Sequence, residues 1–357
     1  MKSEESVTLR DVALAAGVSI DTVSRVLNGK GPVLEKTRTR IQTTIEALGY
    51  APHGAARSLI TRRTNTLGVL LPDIYGEFFS ELIRGIDGAV RKAGYHLLVT
   101  SSHGDRGETA AVFRAMRGRV DGLVVLSPDM SVPAVRASIP DSLPVVLLNS
   151  PSEDSGPFDL INIDNSHGAA QMVRHFHGLG HRRIAFIRGP LPNADAADRL
   201  RGFRAAMREL GMPVSEELEF PGNFREDGGY RAGQRIAGMA RPPTAIFAAN
   251  DAMAIGCLAA LRTLGRSVPG DFSLSGFDDI PIASFTAPPL TSVRVSIAEL
   301  GAAAAERVLH GVRQGNAHKR LHSTLPTTLV VRESTGSAPA AREKDRSKGT
   351  RGRRKDA

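Results

Sequence analysis

Thr8–Asn28, TLRDVALAAGVSIDTVSRVLN, decides the first part of the fold. Thr8 and Asp11 stand three residues apart, the spacing of a capping box in which each side chain accepts the other residue's backbone N–H. Val12, Ala13, Ala15 and Ala16 form a small apolar face, and Gly17 suits the left-handed position that ends a helix. Ser19 then caps a second helix. In it Val23, Val26 and Leu27 recur at i, i+3 and i+4 and face inward, leaving Ile20, Asp21, Ser24, Arg25 and Asn28 outward. Two short helices about a glycine turn, the second with a polar outer face, form a helix-turn-helix whose second helix fits the DNA major groove.

A third amphipathic helix is expected over about Leu34–Leu48, with Ile41, Ile45 and Leu48 at helical spacing and Gly49 as its stop. Residues 7–50 therefore read as a three-helix DNA-reading domain. Lys30, Lys36, Arg38 and Arg40, with the Thr37 hydroxyl, are candidate phosphate contacts, as any exposed basic face would be. Arg25 has the reach for bidentate pairing with guanine, and Asp21 can accept from a cytosine amino group. The same two residues are i,i+4 in the favourable order and are equally placed to pair with each other.

The charge distribution supports this division. Of the 357 residues, 1–65 hold 10 Lys/Arg against 6 Asp/Glu, 66–335 hold 28 of each, and 336–357 hold 8 against 3. The net charge of +9 thus sits at the two ends of the chain, the pattern of a DNA-binding protein with a neutral body. No apolar run approaches the length of a membrane span and the first residues lack a secretory h-region, so a cytoplasmic location is expected. The single cysteine, Cys257, excludes an internal disulfide, and the ten histidines include no HExxH pair, so neither a metal site nor a cofactor is read.

From residue 66 short apolar runs alternate with helical patterns. Leu67–Leu71, His96–Thr100, Gly122–Leu126, Pro144–Leu148, Arg183–Ile187, Ala245–Ala248 and Phe272–Ser275 read as strands, and Leu325–Val331 as a last one. Phe78–Ala93, Asp198–Leu210, Ala252–Leu264 and an alanine-rich stretch about Leu300–Leu309 read as helices. Such alternation implies an α/β fold of doubly wound parallel sheets, here in two similar halves meeting near residue 164. Ligands of such folds sit beyond the carboxyl ends of the strands. That places Asp73 and the following loop, Gly189–Arg199, Ala249–Asp251 and Gly276–Asp279 at a candidate site. Asn250 and Asp251 are equally placed to cap the following helix. Ser334–Ala357 is Gly-, Ser- and Ala-rich and basic, with no apolar period, and is expected to be disordered.

The motifs TLRDVALAAGVS, TVSRVLN, ALGYAP and AARSL (Thr8–Leu59), then GPLPNADAADRLRGF, AANDAMAIG, SGFDD and PPLTSVRVSIAELG (Gly189–Gly301), resemble the LacI/GalR family of lactose- and purine-type repressors, from Thr8 to about Arg332. The resemblance implies a helix-turn-helix, a hinge at 51–65, and a two-lobed periplasmic-binding-protein-like core. Lobe 1 would hold about 66–163 and 292–322, and lobe 2 about 164–290 and 324–333, with a basic tail from 336. It implies a homodimer on a palindromic double-stranded operator, with DNA contacts at Leu9, Ser19, Ile20, Asp21, Thr22, Ser24, Arg25, Asn28, Thr37, His53, Ala56 and Leu59. Leu59 would wedge between base pairs in the minor groove, recovering its unstacking cost through a bent, wider groove. The implied effector contacts are Asp73, Phe78, Phe79, Asn193, Arg199, Phe224, Asn250 and Asp278, although Arg199 and Asp278 could instead pair with each other. Asn193 and Asp195 stand where the purine-binding pattern has a basic residue and a threonine, which favours a sugar or sugar-like effector. No heptad helix follows the body, so a dimer is expected rather than a tetramer. An enzyme with a DNA-binding appendage is disfavoured by the lack of a GxxxxGK[ST] loop, a strand-linked GxGxxG or a GxSxG elbow. A transporter's solute-binding component is disfavoured by the helix-turn-helix.

Overall fold

A computed structural model describes residues 7–28, 31–50, 63–103, 105–126, 132–140, 142–150, 156 and 158–339. The chain divides into two compact units, residues 1–64 and 65–357.

The first unit contains α1 (Leu9–Ala16), α2 (Ile20–Asn28) and α3 (Glu35–Leu48). Its punctuation follows the local chemistry. The Thr8 hydroxyl and the Asp11 carboxylate each accept the other's backbone N–H, completing the capping box. Gly17 ends α1 at φ 62° and Gly49 ends α3 at φ 60°. At each end the glycine N–H and the N–H of the following residue donate back to the last turn, the Schellman arrangement that satisfies orphan carbonyls. The Ser19 hydroxyl accepts the Thr22 N–H at the start of α2. Val12, Ala13, Ala16, Val23, Val26, Ile41 and Tyr50 form one small core, with Leu9, Leu27 and Ile45 packed partly against it. Leu48, read as a core position, instead lies exposed at the rim.

The second unit holds two six-stranded sheets. The first has the order β11-β5-β4-β3-β1-β2, from β1 (Thr66–Leu71), β2 (His96–Ser101), β3 (Gly122–Leu126), β4 (Val145–Leu148), β5 (Asp159–Ile163) and β11 (His322–Leu325), all parallel. The second has the order β12-β10-β9-β8-β6-β7, from β6 (Ile184–Arg188), β7 (Glu219–Pro221), β8 (Ala245–Ala248), β9 (Ser273–Asp278), β10 (Thr291–Arg294) and β12 (Thr328–Val330). It is parallel except for β12 against β10. The inner strands are buried along their length, as strands covered on both faces must be.

Among the described residues eight further helices cover the sheets: α4 (Glu77–Lys92), α5 (Arg106–Met116), α6 (Val132–Ser138), α7 (Asn165–Gly178), α8 (Ala194–Glu209), α9 (Glu226–Ala237), α10 (Asp251–Thr263) and α11 (Ile297–Gln314). Three pairs touch backbone to backbone through glycine, among them α7 and α8, where a Cβ on Gly202 would lie 2.2 Å from the Ser166 carbonyl oxygen. A Cβ on Gly229 of α9 would lie 1.9 Å from the Met253 carbonyl oxygen, and one on Gly256 of α10 would lie 1.8 Å from that of Glu226. Gly85 of α4 and Gly301 of α11 meet in the same way.

The chain passes between the sheets after β5, after β10 and after β11. The last two crossings fall a few residues after the lobe boundaries read from sequence, because Thr291–Arg294 pairs with β9 and His322–Leu325 with β5. The tail boundary also moves. Ser334 to Ala338, read as part of a disordered tail, are bound to the second lobe: Ser334 bridges Leu274 and Pro289, Gly336 lies between His181 and Ser273, and the Ala338 N–H reaches Leu179.

The close helix contact yields a prediction. Gly229→Ala and Gly256→Ala should each destabilise the effector unit by about 1–3 kcal/mol, because the added methyl meets backbone that cannot move aside. Urea unfolding checks it, and unchanged midpoints in both variants contradict the packing.

Candidate functional site: an interlobe cleft and a DNA-reading helix

The carboxyl ends of β1, β3, β6, β8 and β9 and the loop after β7 open onto one cavity of about 640 Å³. All eight residues nominated for effector binding line it: Asp73, Phe78, Phe79, Asn193, Arg199, Phe224, Asn250 and Asp278. Leucine, isoleucine and aromatic residues make nine of its 24 lining positions, and most of the polar ones belong to the second lobe.

Arg199 is the centre of that polar pole. It projects from α8 and is only 3% exposed. Its Nε donates to Asn165 Oδ1 at 2.8 Å, Nη1 donates to the Ala249 carbonyl at 2.6 Å, and Nη2 lies 2.9 Å from Asp278 Oδ1. The guanidinium also lies over the Phe277 ring, 3.8 Å from its centroid. The pairing of Arg199 with Asp278 is therefore present together with their exposure to the cavity. Burial pushes the Asp278 carboxyl up to about 6, partly offset by the arginine beside it.

Asp195, which the purine comparison singled out, completes the network. Its carboxylate accepts Asn165 Nδ2 at 2.7 Å and, from the first lobe, Asn149 Nδ2 at 3.2 Å. Burial raises its pKa, with Arg199 opposing. Asn149 and Asn165 were missed because strand-end and helix-start asparagines carry no distinctive spacing.

The two nominated asparagines are partly occupied by structure. The Asn193 side chain accepts the Ala196 N–H and caps α8. Asn250 caps α10 through Met253 N–H and donates Nδ2 to the Phe224 carbonyl, so it fixes the loop that carries an aromatic wall. Phe224 is seated against Gly189, where a Cβ would lie 2.4 Å from the ring. Phe78 and Phe79 meet edge to face at 5.6 Å on the opposite lobe. Asp251 does not line the cavity. It is fully buried, accepts from Ile280 N–H and the Ser292 hydroxyl, and ties α10 to the end of β9 and to β10.

Three contacts join the lobes across the mouth. Asp73, whose other oxygen accepts Ile74 and Tyr75 N–H, pairs with Arg225; the Tyr75 hydroxyl lies 3.4 Å from Glu226; and Glu77 accepts the Ile282 N–H at 2.9 Å. Tyr75 belongs to the loop after Asp73 read as part of the site, whereas Arg225 and Glu226 were not nominated from sequence.

In the first unit, Ile20, Asp21 and Arg25 stand exposed on α2, and Asp21 and Arg25 pair at 2.5 Å. An exposed i,i+4 pair contributes about 0.3–0.5 kcal/mol, little enough for Arg25 to exchange it for a base edge. Ser19 and Thr22 bond hydroxyl to hydroxyl at 2.8 Å, and Ser24 and Thr37 are half-buried. Leu9 turns its side chain partly to the core. The side chain of Asn28, Lys30, and the hinge nominations His53, Ala56 and Leu59 lie outside the described residues.

Comparison with known proteins agrees with both halves. Residues 8–53 match the model of bacterial regulatory proteins of the lacI family, and residues 173–335 that of a periplasmic binding protein-like domain. The ribose operon repressor of Escherichia coli (strain K12) is 36% identical over 310 residues, covering 86% of this chain and 93% of its own. The lac repressor dimer bound to operator and the anti-inducer ONPF superposes with a TM-score of 0.84 at 27% identity, covering 93% of this chain and all of that one. A LacI family regulator from Enterococcus faecium with bound ribose superposes with a TM-score of 0.70 at 28% identity, over 77% of this chain and all of that one. The chain belongs to the lacI family of bacterial regulatory proteins, whose members bind DNA under the control of an effector.

Proposed function

We propose that this chain is a homodimeric repressor whose operator affinity is set by a small sugar held in the interlobe cleft, acting in the cytoplasm and carrying out no chemistry on the sugar. The observation that carries the sugar is the cavity itself: a polar pole of Arg199, Asp278 and Asp195 faces the aromatic walls of Phe78, Phe79 and Phe224. A sugar presents hydroxyl donors and acceptors at its edge and C–H faces to aromatic rings, which this arrangement matches. The ribose-bound relative supports the class.

The coupling follows from the contacts across the mouth. A ligand that bridges Arg199 and Asp278 to the first-lobe aromatics shifts the balance between closed and open lobes only by its differential affinity for the two. Lobe closure then alters the spacing of the two hinges in the dimer, and so the entry of Leu59 into the minor groove. A two-fold protein reading a palindrome fixes this geometry.

A purine-type effector is the second reading, favoured by the aromatic walls. The amide and carboxylate at Asn193 and Asp195 leave this part of the pocket without the basic residue of the purine pattern.

Asp278→Ala should abolish the response to ribose while operator binding persists; fluorescence anisotropy on labelled operator reads both, and a normal response removes Asp278 from the pocket. Arg25→Ala should cost about 1–3 kcal/mol on the specific operator and relax preference at one base pair, measured by selection from random DNA. Unchanged preference excludes Arg25 from base reading.

Sugar affinity should depend on pH. A hydroxyl donating to Asp278 favours the ionised carboxylate, whose pKa in the empty cleft is about 6. Affinity therefore rises as pH increases through 6 and levels above 7, with proton release on binding near pH 6; calorimetry in buffers of different ionisation enthalpy measures it. A pH-independent affinity from 5 to 8 contradicts the hydroxyl–Asp278 contact.

A further inference from the structure

The charges of the cleft do not balance. Among the described residues its lining includes five carboxylates, Asp73, Glu77, Asp195, Glu226 and Asp278, against two guanidiniums, Arg199 and Arg225, with no lysine or histidine. Arg225 is taken by Asp73 and Arg199 by Asp278. Among the described residues the other three carboxylates have hydrogen-bond donors but no ion-pair partner.

Asp195 stands beside the Arg199 network on the second lobe. Its two donors are the neutral amides of Asn149 and Asn165, and the nearest cation, Arg199, is already paired with Asp278. An enclosed carboxylate in this state is costly unless it takes a proton or meets a cation. Asp278, 4% exposed and lining the same cavity, turns its Oδ1 to Arg199 Nη2 at 2.9 Å, so the guanidinium charge of the floor is already engaged. The walls on the other side are aromatic, Tyr75, Phe78, Phe79 and Phe224, and an aromatic face attracts a cation. A phosphate or carboxylate on the ligand would meet a lining with a net excess of like charge.

We propose that the effector is a sugar carrying a protonated amine, whose ammonium group sits at Asp195, and that phosphorylated sugars are excluded from the cleft. This rests on the sugar reading above and narrows it. The ammonium supplies the missing counter-charge and donates to the carboxylate where a hydroxyl would share a neutral hydrogen bond. The ring keeps its faces on the phenylalanines and its remaining hydroxyls on Asp278 and Arg199.

Isothermal titration calorimetry of the full chain at pH 7.5 tests it, using pentoses and hexoses, their aminodeoxy analogues with the amine at each ring position, and ribose 5-phosphate. At least one amine should bind tenfold or more tightly than its hydroxyl parent, about 1.4 kcal/mol, and ribose 5-phosphate at least tenfold more weakly than ribose. In Asp195→Asn the amine-to-parent ratio should fall to about one, and in Asp195→Glu, which keeps the charge, it should persist. If parent sugars bind and no amine gains, Asp195 carries a proton instead: the inference is overturned while the sugar reading stands. Retention of the full advantage in Asp195→Asn also overturns it, because the amine then lies elsewhere. If no sugar binds, with or without an amine, both readings fall together.

Discussion

One buried guanidinium holds the effector half of this protein together. An arginine removed from water is tolerated only when its donors are met, and breaking such a set by removing one partner typically costs about 3–5 kcal/mol. Arg199 meets this condition with partners from three elements: Asn165 at the start of α7, the Ala249 carbonyl beyond β8 and Asp278 at the end of β9, with Phe277 beneath its plane. It thereby fixes the relative positions of the strand ends that make the cleft floor. Through Asn165 the same network reaches Asp195, and Asp195 is held in turn by Asn149 of the other lobe. Occupancy of the second-lobe floor and closure onto the first lobe thus act on a shared set of hydrogen bonds, and this gives a ligand a means of altering the whole unit.

The backbone around that floor is held in uncommon conformations. Asn149, Phe224, Asp278 and Asp279 all have positive φ without being glycine, and three of them, all but Asp279, line the cleft or bond to a residue that does. Each such residue costs about 1–3 kcal/mol and persists because its surroundings over-determine it. Asp279 illustrates how: its two oxygens are clamped by Arg294 and Arg332, both near the interlobe crossings. The cleft geometry is preorganised by these pairs, so a ligand meets side chains already aimed.

Much of this was legible in the sequence, for local reasons. The helix-turn-helix depends on caps, glycine stops and i,i+3,i+4 spacing, all short-range, and each recurs where Thr8, Gly17, Ser19 and Gly49 imply. Inner strands declared themselves as apolar runs. The strands β5, β7, β10 and β11 did not, because they are three to five residues long and partly polar. In β10 the hydroxyls of Thr291 and Ser292 are buried but satisfied, by Arg332, Thr335 and Asp251, which no period in the sequence announces. The tail misled for a similar reason: a Ser-, Gly- and Ala-rich segment has the composition of disorder, yet His181 and Ser273 hold Gly336 in place. The eight nominated effector residues were found through strand ends and family motifs. Arg225 and Asn149 were not, because their roles come from pairing across the lobes with residues far away in the chain.

The central claim is that cleft occupancy and DNA binding are one coupled equilibrium, and linkage makes that claim measurable without knowing its sign. A sugar that shifts operator affinity by some factor must have its own affinity shifted by the same factor when operator is bound, commonly five- to 150-fold in such systems. The direct test is to measure sugar affinity with free protein and with protein saturated by an operator selected from random DNA, and operator affinity with and without saturating sugar. The account predicts two equal ratios, both different from one. A sugar that binds the cleft with the same affinity in the presence and absence of operator would contradict it.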